Sequence, residues 1–205
     1  MVKKKFSYYS FSNVLSYGGV YNMIMGARGL GKTYGAKKIV IRNAIEKGQQ
    51  FIYLRRYKTE LRGRNSFFAD IQQEFPDQEF RVEGQFAQRK VEGKWETIGY
   101  FIPLSTAQAN KSIAYPNVYT IIFDEFIIDK GSLRYLPDEA KMFMDFYSTV
   151  DRYQDRVRCL MLSNSVSIMN PYFIRFHIEP RAGIARHADG FIVTDFVDSK
   201  EFANE

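Results

Sequence analysis

The chain has a single cysteine, Cys159, in 205 residues. An internal disulfide is therefore excluded, and the surrounding apolar run "CLML" predicts a buried structural thiol in a reducing compartment. Long hydrophobic stretches are missing too. No run approaches the ~18 apolar residues of a membrane span, which argues against an integral membrane protein. The opening residues "MVKKKFSYYSFSN" are basic with no apolar stretch behind them, so a secretory signal is not expected. There is no internal repeat and no low-complexity tract.

Acids are scarce in one region. Residues 1–64 hold 14 Lys and Arg against two acids, Glu46 and Glu60, while the remainder holds 15 basic and 21 acidic residues within a net charge of +6. Such asymmetry points to an anionic partner near the first third, either nucleotide phosphates or nucleic acid. A solvated basic face is the plain alternative.

What is present is ordinary globular usage, 45 % hydrophobic and 25 % charged, at a length that suits one domain with a full core. Aromatic residues reach 16 %, with 14 Tyr and 18 Phe, which predicts well-filled layers. Residues 21–25 read as a short buried strand, and "GKTYGAKKIVIRNAIEKG" predicts a helix from 31 to 47 closed by Gly48. "QFIYLRR" (50–56) reads as a second strand, followed by a helix around 65–75 that ends at "FPD". Residues 79–104 alternate and turn at "EGQ" and "EGK", which predicts an antiparallel hairpin insertion. "VYTIIFDE" (118–125) and "VRCLMLSNS" (157–165) are near-continuous apolar runs, as expected of parallel strands covered on both faces. Between them Pro137 opens a predicted helix with Asp138 and Glu139 in its first turn, and Met142, Phe146 and Val150 form a core stripe along it. "GFIVTDFV" (190–197) is a last strand. Residues 1–197 are expected to form one domain, and 198–205 to start a linker or tail. Strands alternating with helices give an α/β fold with a mostly parallel central sheet flanked by helices.

The stretch "GARGLGKT", comprising Gly26, Ala27, Arg28, Gly29, Leu30, Gly31, Lys32 and Thr33, fits G-x-x-x-x-G-K-[ST]. Glycines let successive backbone N–H groups curl around phosphate oxygens, and the following helix offers its positive end. Lys32 is suited to the β- and γ-phosphates and Thr33 to a Mg²⁺ ion, so the turn reads as the holder of a nucleoside triphosphate. The match lies between a predicted strand and a predicted helix, the context such a loop needs. The run "YTIIFDE" then delivers Asp124 and Glu125 at a strand end, where open α/β sheets place ligands. Asp124 suits the Mg²⁺ shell and Glu125 the polarisation of attacking water, although two acids there also fit a solvated turn. A carboxylate directly after the Mg²⁺ aspartate marks hydrolases of the additional-strand type. At the end of "LMLSNS", Asn164 either touches the γ-phosphate or water, or caps a turn.

Basic residues remain open at this level. Arg55, Arg56, Lys58, Arg62 and Arg64 fit phosphate contact, DNA contact or a solvated face. Arg152, Arg156 and Arg158 fall where a helix runs out before a strand. Lys111 and Lys130 lie in loops near the ends of central strands.

The blocks "GARGLGKT", "FIYLRRYKTEL", "EFPDQE", "IPLS", "YPNVYTIIFDEFI", "RVRCLMLSN" and "NPYF" occur here in an order that resembles the genome-packaging ATPase (encapsidation protein) of phi-twenty-nine-type small tailed phages. The likeness covers most of residues 15–180. It implies a compact additional-strand ATPase akin to the FtsK/HerA DNA pumps, working as a homomeric, pentameric ring on a phage portal in the host cytoplasm. Such a ring uses ATP to drive double-stranded DNA into a prohead, with a packaging RNA as partner in some members and no membrane. Carried over by position, the resemblance implies that Lys32 and Thr33 are the phosphate-loop pair and that Asp124 and Glu125 are the Mg²⁺ and catalytic acids. It also implies that Arg152 acts in trans on a neighbouring subunit and that Lys58 serves nucleotide exchange and intersubunit contact. Lys111 and Lys130 match loops that face the ring channel and its DNA. Gln154 departs from the pattern, because family members show a further arginine there. Members also continue into a nuclease-like C-terminal domain, so this chain is expected to be the isolated ATPase domain. The rival reading from the residues alone is a nucleotide-dependent module that grips nucleic acid without turnover; a small-molecule kinase fits the Asp-Glu pair less well.

Overall fold

The computed structural model describes residues 8–110, 113–129, 131, 133–164 and 167–197. The chain enters through a short helix, α1 (Phe11–Ser16), into β1 (Tyr21–Met25), whose five residues are all buried. After the glycine-rich turn comes α2 (Lys32–Lys47), which ends as expected at Gly48 in the left-handed conformation (φ 66°). Further along are β2 (Gln50–Arg55), β3 (Phe80–Glu83), β4 (Phe86–Val91), β5 (Lys94–Pro103), β6 (Val118–Asp124) and α3 (Glu139–Asp151). They are followed by β7 (Arg158–Ser163), α4 (Pro171–Phe176), β8 (Gly183–His187) and β9 (Ile192–Phe196).

Among the described residues, nine strands form one sheet in the order β3-β4-β5-β2-β6-β7-β1-β9-β8. The strands from β5 to β9 in that order pair in parallel, and an antiparallel hairpin closes each edge. Successive strand residues point to opposite faces, which sorts the core into two layers. Met23, Met25, Phe123 and Met161 pack with Phe143, Phe146 and Val150 of α3 and with Tyr172 of α4. Ile24, Ile122, Leu160 and Leu162 pack with Val40 and Ile41 of α2 and with Phe11 of α1. Cys159 is buried within the first layer, where desolvation pushes its thiol pKa well up. No described helix is long and apolar enough to cross a membrane.

Three elements differ from their sequence expectations. The helix expected around 65–75 is instead a 3₁₀ helix at Lys58–Ser66, a turn, and a second 3₁₀ helix at Gln72–Glu74. Phe67, Phe68 and Ile71 are all buried against the sheet. Both rings and Ile71 reach the core through the turn at 67–71 that joins the two 3₁₀ segments. The hairpin at 79–104 turns where expected but is continuous with the main sheet, because β5 pairs antiparallel with β4 and parallel with β2. Helix α3 starts at Glu139 rather than Pro137, and Asp138 before it is left-handed (φ 49°). The cause is Glu139, whose carboxylate is drawn into the core instead of standing in the solvent. Helices α1 and α4 and strand β8 had no sequence expectation; each is only five or six residues long.

Candidate functional site

Strands β1, β6 and β7 run parallel, so their C-terminal ends share one rim of the sheet. The glycine-rich turn leaves β1 there, Asp124 ends β6, and Asn164 follows β7. Gly29 and Gly31 hold φ of 92° and 73°, a conformation that L side chains rarely adopt and that curls a loop inward. A Cβ on Gly26 would lie 3.0 Å from both Leu30 and Val197, so the turn closes only around a bare backbone at that point. Leu30 is buried, whereas Ala27, Arg28 and Gly29 are exposed.

Lys32 is 4 % exposed, and its Nζ donates to Gly26 O (2.9 Å), Ala27 O (2.8 Å) and Asn164 Oδ1 (3.2 Å). One ammonium thus ties the loop to the end of β7. Burial lowers its pKa to about 8, with the Asp124 charge acting in the opposite direction. Thr33 Oγ1 donates to both Asp124 oxygens, at 3.2 and 3.1 Å, and Tyr53 Oη donates to Asp124 Oδ2 at 2.7 Å. Two hydrogen-bonded sets thus lie side by side at the start of α2, one holding the Lys32 ammonium to the loop and Asn164, the other holding the Thr33 hydroxyl to the Asp124 carboxylate.

Glu125, just past β6, has φ 58°. Its carboxylate is 40 % exposed and accepts from Arg55 Nη2 at 2.7 Å, and the same nitrogen reaches Glu60 at 2.9 Å. Arg56 lies deeper. At 1 % exposure it makes a two-pronged ion pair with the fully buried Glu139 (2.7 and 2.8 Å) and donates to Glu125 O (3.3 Å) and Phe126 O (2.7 Å). Tyr172 Oη and the Leu136 N–H complete the Glu139 shell. Of the options left open for the paired arginines, a solvated face is excluded for both. Glu60 lies only five residues from Arg55, but Glu125 and Glu139 lie 70 and 83 residues from the arginines they hold and come into reach only in the tertiary fold, Glu125 because β2 sits beside β6. Arg28, Glu125 and Asn164 line one cleft beside the loop, together with Asp129 and Gly131.

The remaining candidates lie elsewhere. Lys58 is exposed and borders a separate cleft with Arg64, Gln85 and Thr106. Arg152 caps the C-terminus of α3 at the opposite rim, exposed and left-handed (φ 51°). Gln154, at the departure from the family pattern, accepts from Arg156 Nε at 2.9 Å. Arg156 itself donates to the Tyr115, Val118 and Val150 carbonyls, so it braces this corner. Lys111 and Lys130 lie outside the described residues.

A mostly parallel sheet covered on both faces, with a G-x-x-x-x-G-K-[ST] turn joining its central strand to a helix, defines an α/β domain of phosphate-loop construction. Comparison with known proteins narrows this. Residues 3–205 match the family described as Podovirus DNA encapsidation protein (Gp16), and the chain belongs to that family. It is 45 % identical over 192 residues to a DNA packaging protein of Bacillus phage B103, covering 94 % of this chain and 59 % of that protein. The chain thus spans about three-fifths of the length of the curated relatives it matches. The N-terminal domain of the DNA packaging ATPase from bacteriophage phi29 superposes with a TM-score of 0.84 at 43 % identity, over 95 % of this chain and 98 % of that one. A chain of the bacteriophage Phi-29 viral genome packaging motor assembly also gives 0.84, at 42 % identity over 97 % of this chain and 60 % of that one.

Proposed function

We propose that this domain binds ATP with Mg²⁺ at the Gly26-to-Thr33 turn, hydrolyses it, and works as one subunit of a homomeric ring that drives double-stranded DNA into a phage prohead. The observation that carries the reading is the Thr33–Asp124 contact beside Lys32, which brings a phosphate-loop hydroxyl, a strand-end carboxylate and a loop cation together. Strand β7 lies between β1 and β6, an order that supports the additional-strand subclass. The 42 % identity to a chain of a viral genome packaging motor assembly supports the motor and DNA-packaging parts, whereas the pentameric ring, the portal, a packaging RNA partner and action at the prohead in the host cytoplasm rest on the family resemblance.

The roles of the described residues rest on their positions, and those of Lys111 and Lys130 on the family resemblance alone. Gly26 closes the turn with its N–H on Ser163 O at 3.3 Å, Ala27, Arg28, Gly29, Leu30 and Gly31 offer backbone N–H groups to phosphate oxygens, and Lys32 exchanges its loop carbonyls for the β- and γ-phosphates. Thr33 and Asp124 would hold the Mg²⁺ ion; one hydroxyl and one carboxylate suit a small hard cation that keeps its other places for water and phosphate. When bound, that cation neutralises charge on the terminal phosphates. Glu125 takes the proton of the attacking water, for which its carboxylate must leave Arg55. Asn164 orients the γ-phosphate or the water. Arg152 cannot serve its own site: β7 has six residues, which at ~3.3 Å each puts the two rims ~20 Å apart. It is therefore assigned to the site of the next subunit, with Lys58 at the same contact and Lys111 and Lys130 toward DNA.

The Arg55–Glu125 pair favours a second reading, a module that holds nucleotide and nucleic acid without turnover, because the candidate base is engaged by a cation. Steady-state phosphate release with and without double-stranded DNA separates the two. Release that DNA stimulates and Glu125→Gln abolishes supports the motor. Nucleotide and DNA binding without release supports the module, and ATP affinity unchanged in Lys32→Ala would sink both.

A further inference from the structure

Two tyrosines on the flank of the glycine turn have no part in the phosphate chemistry above. The segment entering α1 is extended, so neighbouring side chains point in opposite directions. Tyr9 turns inward and is pinned at both ends: its N–H donates to Leu30 O at 2.8 Å, and its hydroxyl donates to Asp195 Oδ2 at 2.6 Å. Tyr8 consequently turns outward, against the loop. Its ring stacks on Tyr34 with centroids 4.9 Å apart and planes 28° from parallel, yet it remains 53 % exposed. A Cβ on Gly31 would lie 2.3 Å from Tyr8 Cδ1, so the ring rests on the loop backbone itself. Tyr34 is steadied in turn by the hydrogen bond from its hydroxyl to Glu74. One residue further along α2, a Cβ on Gly35 would lie 2.9 Å from the Phe11 ring. The segment therefore clamps the first turn of α2 at two successive glycines.

The groups suited to the terminal phosphate and the cation, Lys32, Thr33, Asp124, Glu125 and Asn164, gather toward the ends of β6 and β7. Tyr34 lies about 100° further round the helix from Thr33. The first turn of α2 thus runs from Thr33, bonded to Asp124, to Tyr34, which backs the Tyr8 ring over Gly31. We propose that Tyr8, backed by Tyr34, is the stacking platform for the nucleobase of the bound nucleotide. The inference rests on the nucleotide reading above and adds a subsite to it. A stack of this kind reads a π-face and not a hydrogen-bond pattern, so purines bind better than pyrimidines and adenine is little preferred over guanine.

Calorimetry with ATP and with inorganic tripolyphosphate, both as magnesium complexes, tests it. Tripolyphosphate fills the phosphate loop and has no base. Tyr8→Leu, which keeps apolar bulk and removes the ring, is expected to weaken ATP about tenfold or more while leaving tripolyphosphate within about twofold. Tyr8→Phe keeps both affinities, and Tyr8→Trp retains ATP binding with an emission that ATP quenches and tripolyphosphate does not. ATP affinity within about twofold of the parent in Tyr8→Leu overturns the platform. Equal losses for ATP and tripolyphosphate also overturn it, since they make Tyr8 a support of the loop. Lys32→Ala separates this result from the underlying reading: if it loses both ligands while Tyr8→Leu loses neither, only the platform falls. If it loses neither, the nucleotide reading falls and the platform with it.

Discussion

The two rims of the parallel sheet both hold residues with positive φ, but they hold them differently. At the rim where β1 ends, Gly29 and Gly31 take the left-handed turns of the loop, and Glu125 after β6 and Asp138 before α3 take that conformation with side chains. Glycine adopts such conformations at little steric cost, so the loop is bare backbone open to a ligand. At the rim where β7 begins, Arg152, Tyr153 and Asp155 hold φ of 51°, 59° and 51° with no glycine among them. Each costs about 1–2 kcal/mol against a right-handed conformation. The strain is offset by Asp151, whose buried carboxylate accepts the N–H groups of Asp155, Arg156 and Val157, and by the Arg156 guanidinium on three carbonyls. The result is a braced corner that displays Arg152 and a 95 % exposed Tyr153. One rim is built to receive and the other to present.

If that contrast is right, the largest effect lies at the presenting rim. Arg152→Ala is expected to remove assembly-dependent ATPase stimulation, an effect of ~10³–10⁵ in rate, while ATP affinity stays near the parent. Mixing inactive Arg152→Ala with inactive Glu125→Gln is then expected to restore part of the activity. No recovery where wild-type assemblies form would return Arg152 to its own chain. At the receiving rim, Glu125→Gln is expected to lower turnover by ~10²–10⁴ and to keep ATP bound, as read by single-turnover phosphate release and calorimetry.

The adjacent arginines sharpen the comparison by stability. Arg56→Met leaves Glu139 charged and buried, which is expected to cost about 3–5 kcal/mol in urea unfolding. Arg55→Met removes a pair whose carboxylate is 40 % exposed and is expected to cost under about 1 kcal/mol. Equal losses would mean that the Glu125 contact is as structural as the Glu139 contact.

A further effect, at the presenting rim, concerns Asp151. Burial raises its pKa, but the N–H groups of Val157, Asp155, Arg156 and Gln154 outweigh this and hold it below the ordinary carboxylate value. With the folded value lower than the unfolded one, its contribution is full above about pH 4 and is lost as pH falls through the folded value. Asp151→Asn is expected to cost about 1–2 kcal/mol at pH 7, and its difference from the parent is expected to shrink as both are acidified. A difference that grows toward low pH would contradict this sign.

What the sequence determined by itself is what neighbouring residues decide together. The glycine turn, Lys32 and Thr33 lie in eight consecutive positions, and the helix that follows closes at Gly48 because backbone conformation there is a local matter. The apolar runs at 21–25, 118–124 and 158–163 are strands because burial on both faces leaves no polar position to alternate. Tertiary structure decided everything that depends on which strand lies beside which. Hydrophobic patterning carries no record of strand order, so it left Arg55 without Glu125 and Arg56 without Glu139, did not say which strand the hairpin joins, and started α3 two residues before Glu139. The same holds for the two rims. That Glu125 and Arg152 stand at opposite ends of one sheet follows from the parallel pairing of β6 with β7, a contact between segments 38 residues apart in register.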